Sequence, residues 1–188
     1  MNKTIWMMVG IPGSGKTWVA KHILMKGLGW RYISRDEVRF SIIKNDEDYF
    51  SHETEVFNVF VEKIKSALAE EGVFNVIADA THLTDKSRYK LIHAIRIKDV
   101  DIIPVVIQSN LEDCIKRNEE REGRAVVPIS VLKRMNAFLT DPKTDDFKYT
   151  GIMYIDNSIH NYTVKPKFMY HKNDLKIKEI PIKDVVKK

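Results

Sequence analysis

Gly10-Ile11-Pro12-Gly13-Ser14-Gly15-Lys16-Thr17 satisfies the pattern G-x-x-x-x-G-K-[ST], and each fixed position has a chemical reason. Gly10, Gly13 and Gly15 let successive backbone N–H groups, that of Ser14 among them, turn inward around a phosphate. Lys16 then reaches the β- and γ-phosphates of a nucleotide such as ATP, and Thr17 offers its hydroxyl to Mg²⁺. A glycine-rich turn ahead of an ordinary helix is the plainer alternative. Asp79 closes the apolar run Val76-Ile77-Ala78 and is placed to face the same Mg²⁺ from the carboxyl edge of a sheet. A helix cap would use an aspartate there too.

A second constellation is Ser34-Arg35-Asp36-Glu37-Val38-Arg39. Asp36 is expected at the end of a strand, where a carboxylate can take the proton from a hydroxyl attacking the γ-phosphate. Arg39, one helical turn on, can grip an acceptor phosphate with two hydrogen bonds. An aspartate cap followed by a surface arginine has the same spacing. A third is Lys116 to Arg124, with three arginines in eight residues before Val127-Pro128. Transfer of a phosphoryl group needs positive charge opposite the loop, and a mobile arginine-bearing lid supplies it. Gly123 beside Arg124 favours Arg124 over Arg121 for that contact. An exposed mixed-charge helix end is the alternative.

These residues need a scaffold. Thr4–Val9 is an apolar run of strand length, and a helix follows over Lys16–Lys26. Arg31–Ser34 is a second strand, with Asp36 capping a helix that carries Val38, Phe40, Ile42 and Ile43. A helix from Ser51 to Gly72 shows Val56, Phe60, Ile64 and Leu68 at helical spacing. Val73–Ala78 is a third strand, Thr84–Lys98 a helix and Val100–Gln108 a fourth strand. Asn110 caps the helix running into Lys116, Pro128 opens one ending near Leu139, and Gly151–Asp156 is a fifth strand candidate. Strands alternating with helices imply a three-layer α/β fold, a mostly parallel sheet with helices on both faces. Residues 1–140 are expected to form the core with a lid around 116–127, and residues 141–188 a polar linker, a last sheet strand and a basic arm.

The 188 residues are 44% hydrophobic and 30% charged, which fits one ordinary globular domain and excludes disordered and collagen-like chains. A single cysteine, Cys114, makes no disulfide framework and points to a reducing, cytoplasmic setting. The stretch Thr4–Gly15 holds Pro12 and three glycines, too broken for a signal or membrane segment. The net charge is +5, and the last 30 residues carry eight lysines against three acids, so the basic character sits at that end. There Tyr162, Phe168 and Tyr170 alternate with Lys165, Lys167 and Lys172, as in a single-strand-binding arm. A segment packed through Phe168, Met169, Leu175 and Ile177 is the alternative.

Taken in order, Gly10–Thr17, Arg35-Asp36 with Arg39, Asp79-Ala80-Thr81-His82-Leu83-Thr84 with Arg88, and Lys116-Arg117-Asn118 through Arg121 and Arg124 to Val127-Pro128 resemble the kinase domain of bacteriophage polynucleotide 5′-hydroxyl kinase. The resemblance spans residues 3–140 and implies a P-loop NTPase fold of the kinase type. It implies Asp36 as general base, Arg39 with Arg35, Thr81, His82 and Arg88 on the acceptor, and Arg121 and Arg124 on the donor phosphates. His82 stands where these kinases carry asparagine, and no D-x-D-x-[TV] phosphatase motif follows Leu139. The expected reaction is ATP- and Mg²⁺-dependent phosphorylation of a 5′-hydroxyl of DNA or RNA, with nucleic acid and no membrane as partner. A kinase acting on a hydroxyl of a modified base or small metabolite, and an ATP-dependent switch or binding module, are the alternatives.

Overall fold

The computed structural model describes residues 2–44, 47–143 and 149–157, with 163–165 and 180–181 as strand backbone. β1 (Lys3–Val9) lies between β3 (Asn75–Asp79) and β4 (Val100–Gln108). β2 (Trp30–Ser34) flanks β3 and β5 (Met153–Asp156) flanks β4, all parallel. β6 (Thr163–Lys165) and β7 (Ile180–Pro181) extend the sheet antiparallel, giving the order β2-β3-β1-β4-β5-β6-β7. The fifth strand is thus held inside the sheet, with neighbours on both sides.

Alternation along the strands sorts two cores. Ile5 and Met7 of β1, with Val76 and Ala78 of β3, meet Val56, Phe60, Ile64 and Leu68 of α3 (Glu53–Ala69) and Leu91 and Ile95 of α4 (Asp85–Ile95). On the other face Met8, Ile77, Val105 and Ile107 meet Val19, Ala20, Ile23 and Leu24. Those four belong to α1 (Lys16–Val19) and the π-helical turn Ala20–Leu24 that continues it, where the Met25 N–H donates to the Ala20 carbonyl. Each of the Val, Leu, Ile, Met and Phe side chains among them contributes roughly 1.5–3 kcal/mol when fully removed from water.

Local chemistry sets the helix ends, and it corrects several expectations. Ser34, not Asp36, caps α2 (Arg35–Ile42): its hydroxyl accepts from the Glu37 N–H at 3.2 Å. Asp36 therefore stands inside the first turn, beyond the end of β2, with its carboxylate released from capping and favoured by the helix dipole. Thr84 and Ser87 form a reciprocal capping box on α4, and Arg96 in the left-handed region ends that helix three residues short of the expected Lys98 end. Asn110 precedes α5 (Leu111–Glu119) without a side-chain cap bond. Pro128 sits at the cap of α6 (Ile129–Phe138), one position before the first turn.

Within the expected linker, Tyr149 is buried and the Thr150 N–H donates to the Ile102 carbonyl, so that end packs on the sheet. The aromatic and lysine side chains of the basic arm, Tyr162 to Lys172, lie outside the described residues, as do Leu175 and Ile177. Among the described residues no helix is long and apolar enough to cross a membrane.

Candidate active site

The glycine-rich loop joins β1 to α1. Gly15 holds the left-handed conformation that starts α1, and Gly13 has φ 81° with its α-carbon against the Cys114 carbonyl, leaving no room for a Cβ. Lys16 is buried, and its Nζ donates to the Ile11 carbonyl at 2.9 Å. Burial pushes the Lys16 ammonium below the ordinary lysine value, and Asp79 pulls it back. The Thr17 hydroxyl donates to Asp79 Oδ2 at 2.8 Å, and the Tyr32 hydroxyl donates to the same oxygen at 2.6 Å. Burial, and then the Asp79 charge, raise the Tyr32 phenol, so it stays a donor. Thr17 and Asp79, on different elements, are thus brought together.

A cavity of about 380 Å³ opens beside Gly13–Thr17, and Lys16, Lys21, Arg117 and Arg121 bring four cations to it. No carboxylate lines it among the described residues, which suits a polyphosphate. Arg117 fixes its back wall, donating to the Gly13 carbonyl at 3.2 Å, Ser109 Oγ at 3.0 Å and the Asn157 carbonyl at 2.8 Å. Asn157 Nδ2 donates in turn to the Ser14 carbonyl at 2.7 Å.

Across the loop, Asp36 Oδ1 accepts from Arg39 Nη1 at 2.8 Å and from the Tyr49 hydroxyl at 2.9 Å. Its side chain is 67% exposed while that of Arg39 is 5% exposed, so the guanidinium lies behind the carboxylate. Glu53 accepts from both Arg39 and Arg35. Arg39 is held charged by Glu53, Tyr49 and Asp36 against its burial, and burial lowers Arg35 with Glu53 opposing. Burial and the Asp36 charge push the Tyr49 phenol up to about 12.

The loop after β3 has a supporting geometry. The Thr81 carbonyl accepts from the Gly10 N–H at 3.0 Å. His82 is buried at φ 41°, its Nδ1 donates to the Met8 carbonyl at 2.8 Å, and burial drops its pKa to about 4, against that carbonyl. It is neutral at pH 7. Arg88 is fully buried and donates to the carbonyls of His82 and Leu83, to Thr140 Oγ1 and to Asp85. Arg88 therefore lies beneath the site, holding this loop in shape, and is not brought to the acceptor surface.

The lid base is clamped by Asn118. Its amide donates to the Val127 carbonyl at 2.8 Å and accepts from the Val127 N–H at 3.0 Å. Arg121 faces the cavity and bears on Lys16. Arg124 points across to the end of α2, donating to the Lys44 carbonyl at 2.5 Å. Of these two arginines, Arg121 is thus the one brought to the cavity beside the glycine-rich loop, and Arg124 is not.

Spacing did not single out Tyr32, Tyr49, Glu53, Asn118 or Asn157. Glu53 reads as a first-turn acid and Tyr49 as a loop aromatic. Only the tertiary fold brings them to the arginines and to Asp36.

A family model described as an AAA domain matches residues 5–142. The chain belongs to that family of P-loop kinase domains. Solved structures similar to it include a chain of the Pnkp1/Rnl/Hen1 RNA repair complex, at 22% identity and TM-score 0.62 over 73% of this chain and 44% of that one. A fungal RNA kinase is 16% identical at TM-score 0.56, over 85% and 77% of the two chains. A sugar kinase from Janibacter sp. HTCC2649 is 18% identical at TM-score 0.52, over 83% and 86%. These likenesses show the fold. The chain spans less than half of the RNA repair chain it matches.

Proposed function

We propose that this chain transfers the γ-phosphate of ATP to a 5′-hydroxyl end of DNA or RNA. The observation that carries the reading is the Asp36 carboxylate. It is exposed, held from behind by Tyr49 and Arg39, and near enough to Lys16 to act on its charge. A base in that position serves a hydroxyl acceptor, and a switch has no use for one. Lys16 neutralises the donor phosphates and Arg121 approaches from the lid, so charge that develops on the moving phosphoryl group meets cations on both sides. Arg39 orients Asp36. To grip an acceptor phosphate as well, it exchanges Glu53 for that phosphate.

Thr17 and Asp79 would hold Mg²⁺. Their hydroxyl and carboxylate oxygens are the hard donors that ion takes. Among the described residues no cluster of three or more His, Cys, Asp or Glu offers a closed cage, so substrate phosphates and water would complete the shell. Bound there, the ion supplies neutralisation of the β- and γ-phosphates.

The test offers radiolabelled ATP with a 5′-hydroxyl oligonucleotide, its 5′-phosphorylated form, and panels of nucleosides and sugars. Label on the first alone supports the reading. Preferential labelling of a sugar or free nucleoside replaces it with a small-metabolite kinase, and ATP turnover without any labelled acceptor replaces it with a switch.

A further inference from the structure

Beside Asp36 lies an aromatic surface that the phosphoryl chemistry does not use. Asp36, Arg39 and Phe40 stand at i, i+3 and i+4 of α2, so Phe40 shares the face of the base, about 6 Å along the helix from it. Phe40 is 44% exposed and Phe50 is 60% exposed. Tyr49 joins them, its ring edge-on to Phe40 at 6.1 Å and to Phe50 at 4.9 Å between centroids. The Arg39 guanidinium lies over the Tyr49 ring at 4.4 Å and the Phe50 ring at 5.9 Å. The hydroxyl that positions Asp36 therefore belongs to the same aromatic cluster, and the cluster is fixed from behind by a buried cation.

Two large rings left half in water and joined through Tyr49 at the edge of a polar site form a contiguous apolar patch, and a patch of that kind marks a binding surface. We propose that Phe40 and Phe50 are the stacking platform for unpaired nucleobases at the 5′ end of a single-stranded acceptor. The inference rests on the nucleic-acid reading above and adds which residues hold the strand. A 5′-hydroxyl at Asp36 puts its own base one ribose away, the separation between Asp36 and Phe40. A base stacks through its π face and asks for no hydrogen bond. A sugar in the same place needs partners for its hydroxyls, and the Phe40 and Phe50 rings offer none. Base stacking is therefore the occupancy that this surface favours.

The experiment uses the full chain with a 5′-hydroxyl single strand carrying 2-aminopurine as its first base, and a matched strand whose first two nucleotides are abasic. Wild type should quench the 2-aminopurine fluorescence on binding. Phe40→Leu and Phe50→Leu should weaken that quench and raise KM for the base-bearing strand roughly 10-fold, with KM for ATP and for the abasic strand unchanged. An equal rise for both strands, or full quenching in the double variant, overturns the platform. Quenching by a wild type that phosphorylates no strand keeps the platform and removes the proposed reaction. Phosphorylation without any wild-type quench keeps the reaction and removes the platform.

Discussion

Asp36 has one carboxylate oxygen engaged by a tyrosine hydroxyl and a guanidinium, and most of its side chain in water. Asp36→Asn preserves the shape and removes the basicity. Transfer should fall by on the order of 10²–10⁴, while ATP affinity measured by isothermal titration stays near wild type. A parallel loss of affinity would make Asp36 a structural residue. His82 shows the opposite environment. Its pKa is 6.5 when free and about 4 in the fold, so the unfolded chain takes up a proton first as pH falls. The contribution of neutral His82 is complete above pH 6.5, declines between pH 6.5 and 4, and is flat below, for roughly 3 kcal/mol in all. His82→Asn tolerates the positive φ and should make melting temperature less dependent on pH across that window. An unchanged pH profile in the variant would show that other groups carry the acid sensitivity.

Helices and loops decide which of these groups meet. The segment after α5 reaches the cavity beside Gly13–Thr17 with Arg121 and the end of α2 with Arg124. Single-turnover rates should therefore drop by on the order of 10² in Arg121→Ala and far less in Arg124→Ala; the reverse order would return the donor contact to Arg124. Asn118→Ala strands the Val127 N–H and C=O, a loss of about 1–3 kcal/mol confined to the lid base. Faster proteolytic cleavage within 119–127, with global stability little changed, is the expected result. At the other side of the site, Ser34→Ala removes the α2 cap and should cost about 1 kcal/mol.

At the scale of the whole molecule, the element order was legible because strand stretches such as Ile5–Val9 are unbroken apolar runs that alternate with helical periods. The donor half of the site was legible for a related reason: Gly10–Thr17 concentrates its chemistry in eight consecutive residues. The acceptor half was less so. Ser34 and Asp36 compete for the same cap by residue type, and only the backbone geometry at Ser34 decides between them. Tyr49 and Glu53 reach Asp36 and Arg39 through a chain reversal that no spacing announces, and nothing in the residues around Arg88 announces that it is fully buried.

One tie reaches further than its three hydrogen bonds suggest. Asn157 follows β5 and holds the Ser14 carbonyl from 143 positions away, while Arg117 joins Asn157 to Gly13. The stiffness of the phosphate loop is therefore partly borrowed from a strand two places along the sheet from β1, and linkage makes such borrowing mutual. ATP should slow amide hydrogen exchange across Met153–Asp156, a strand carrying none of the phosphate-binding residues. Asn157→Ala should abolish that protection and weaken ATP together, so that a distant strand reports the occupancy of the loop.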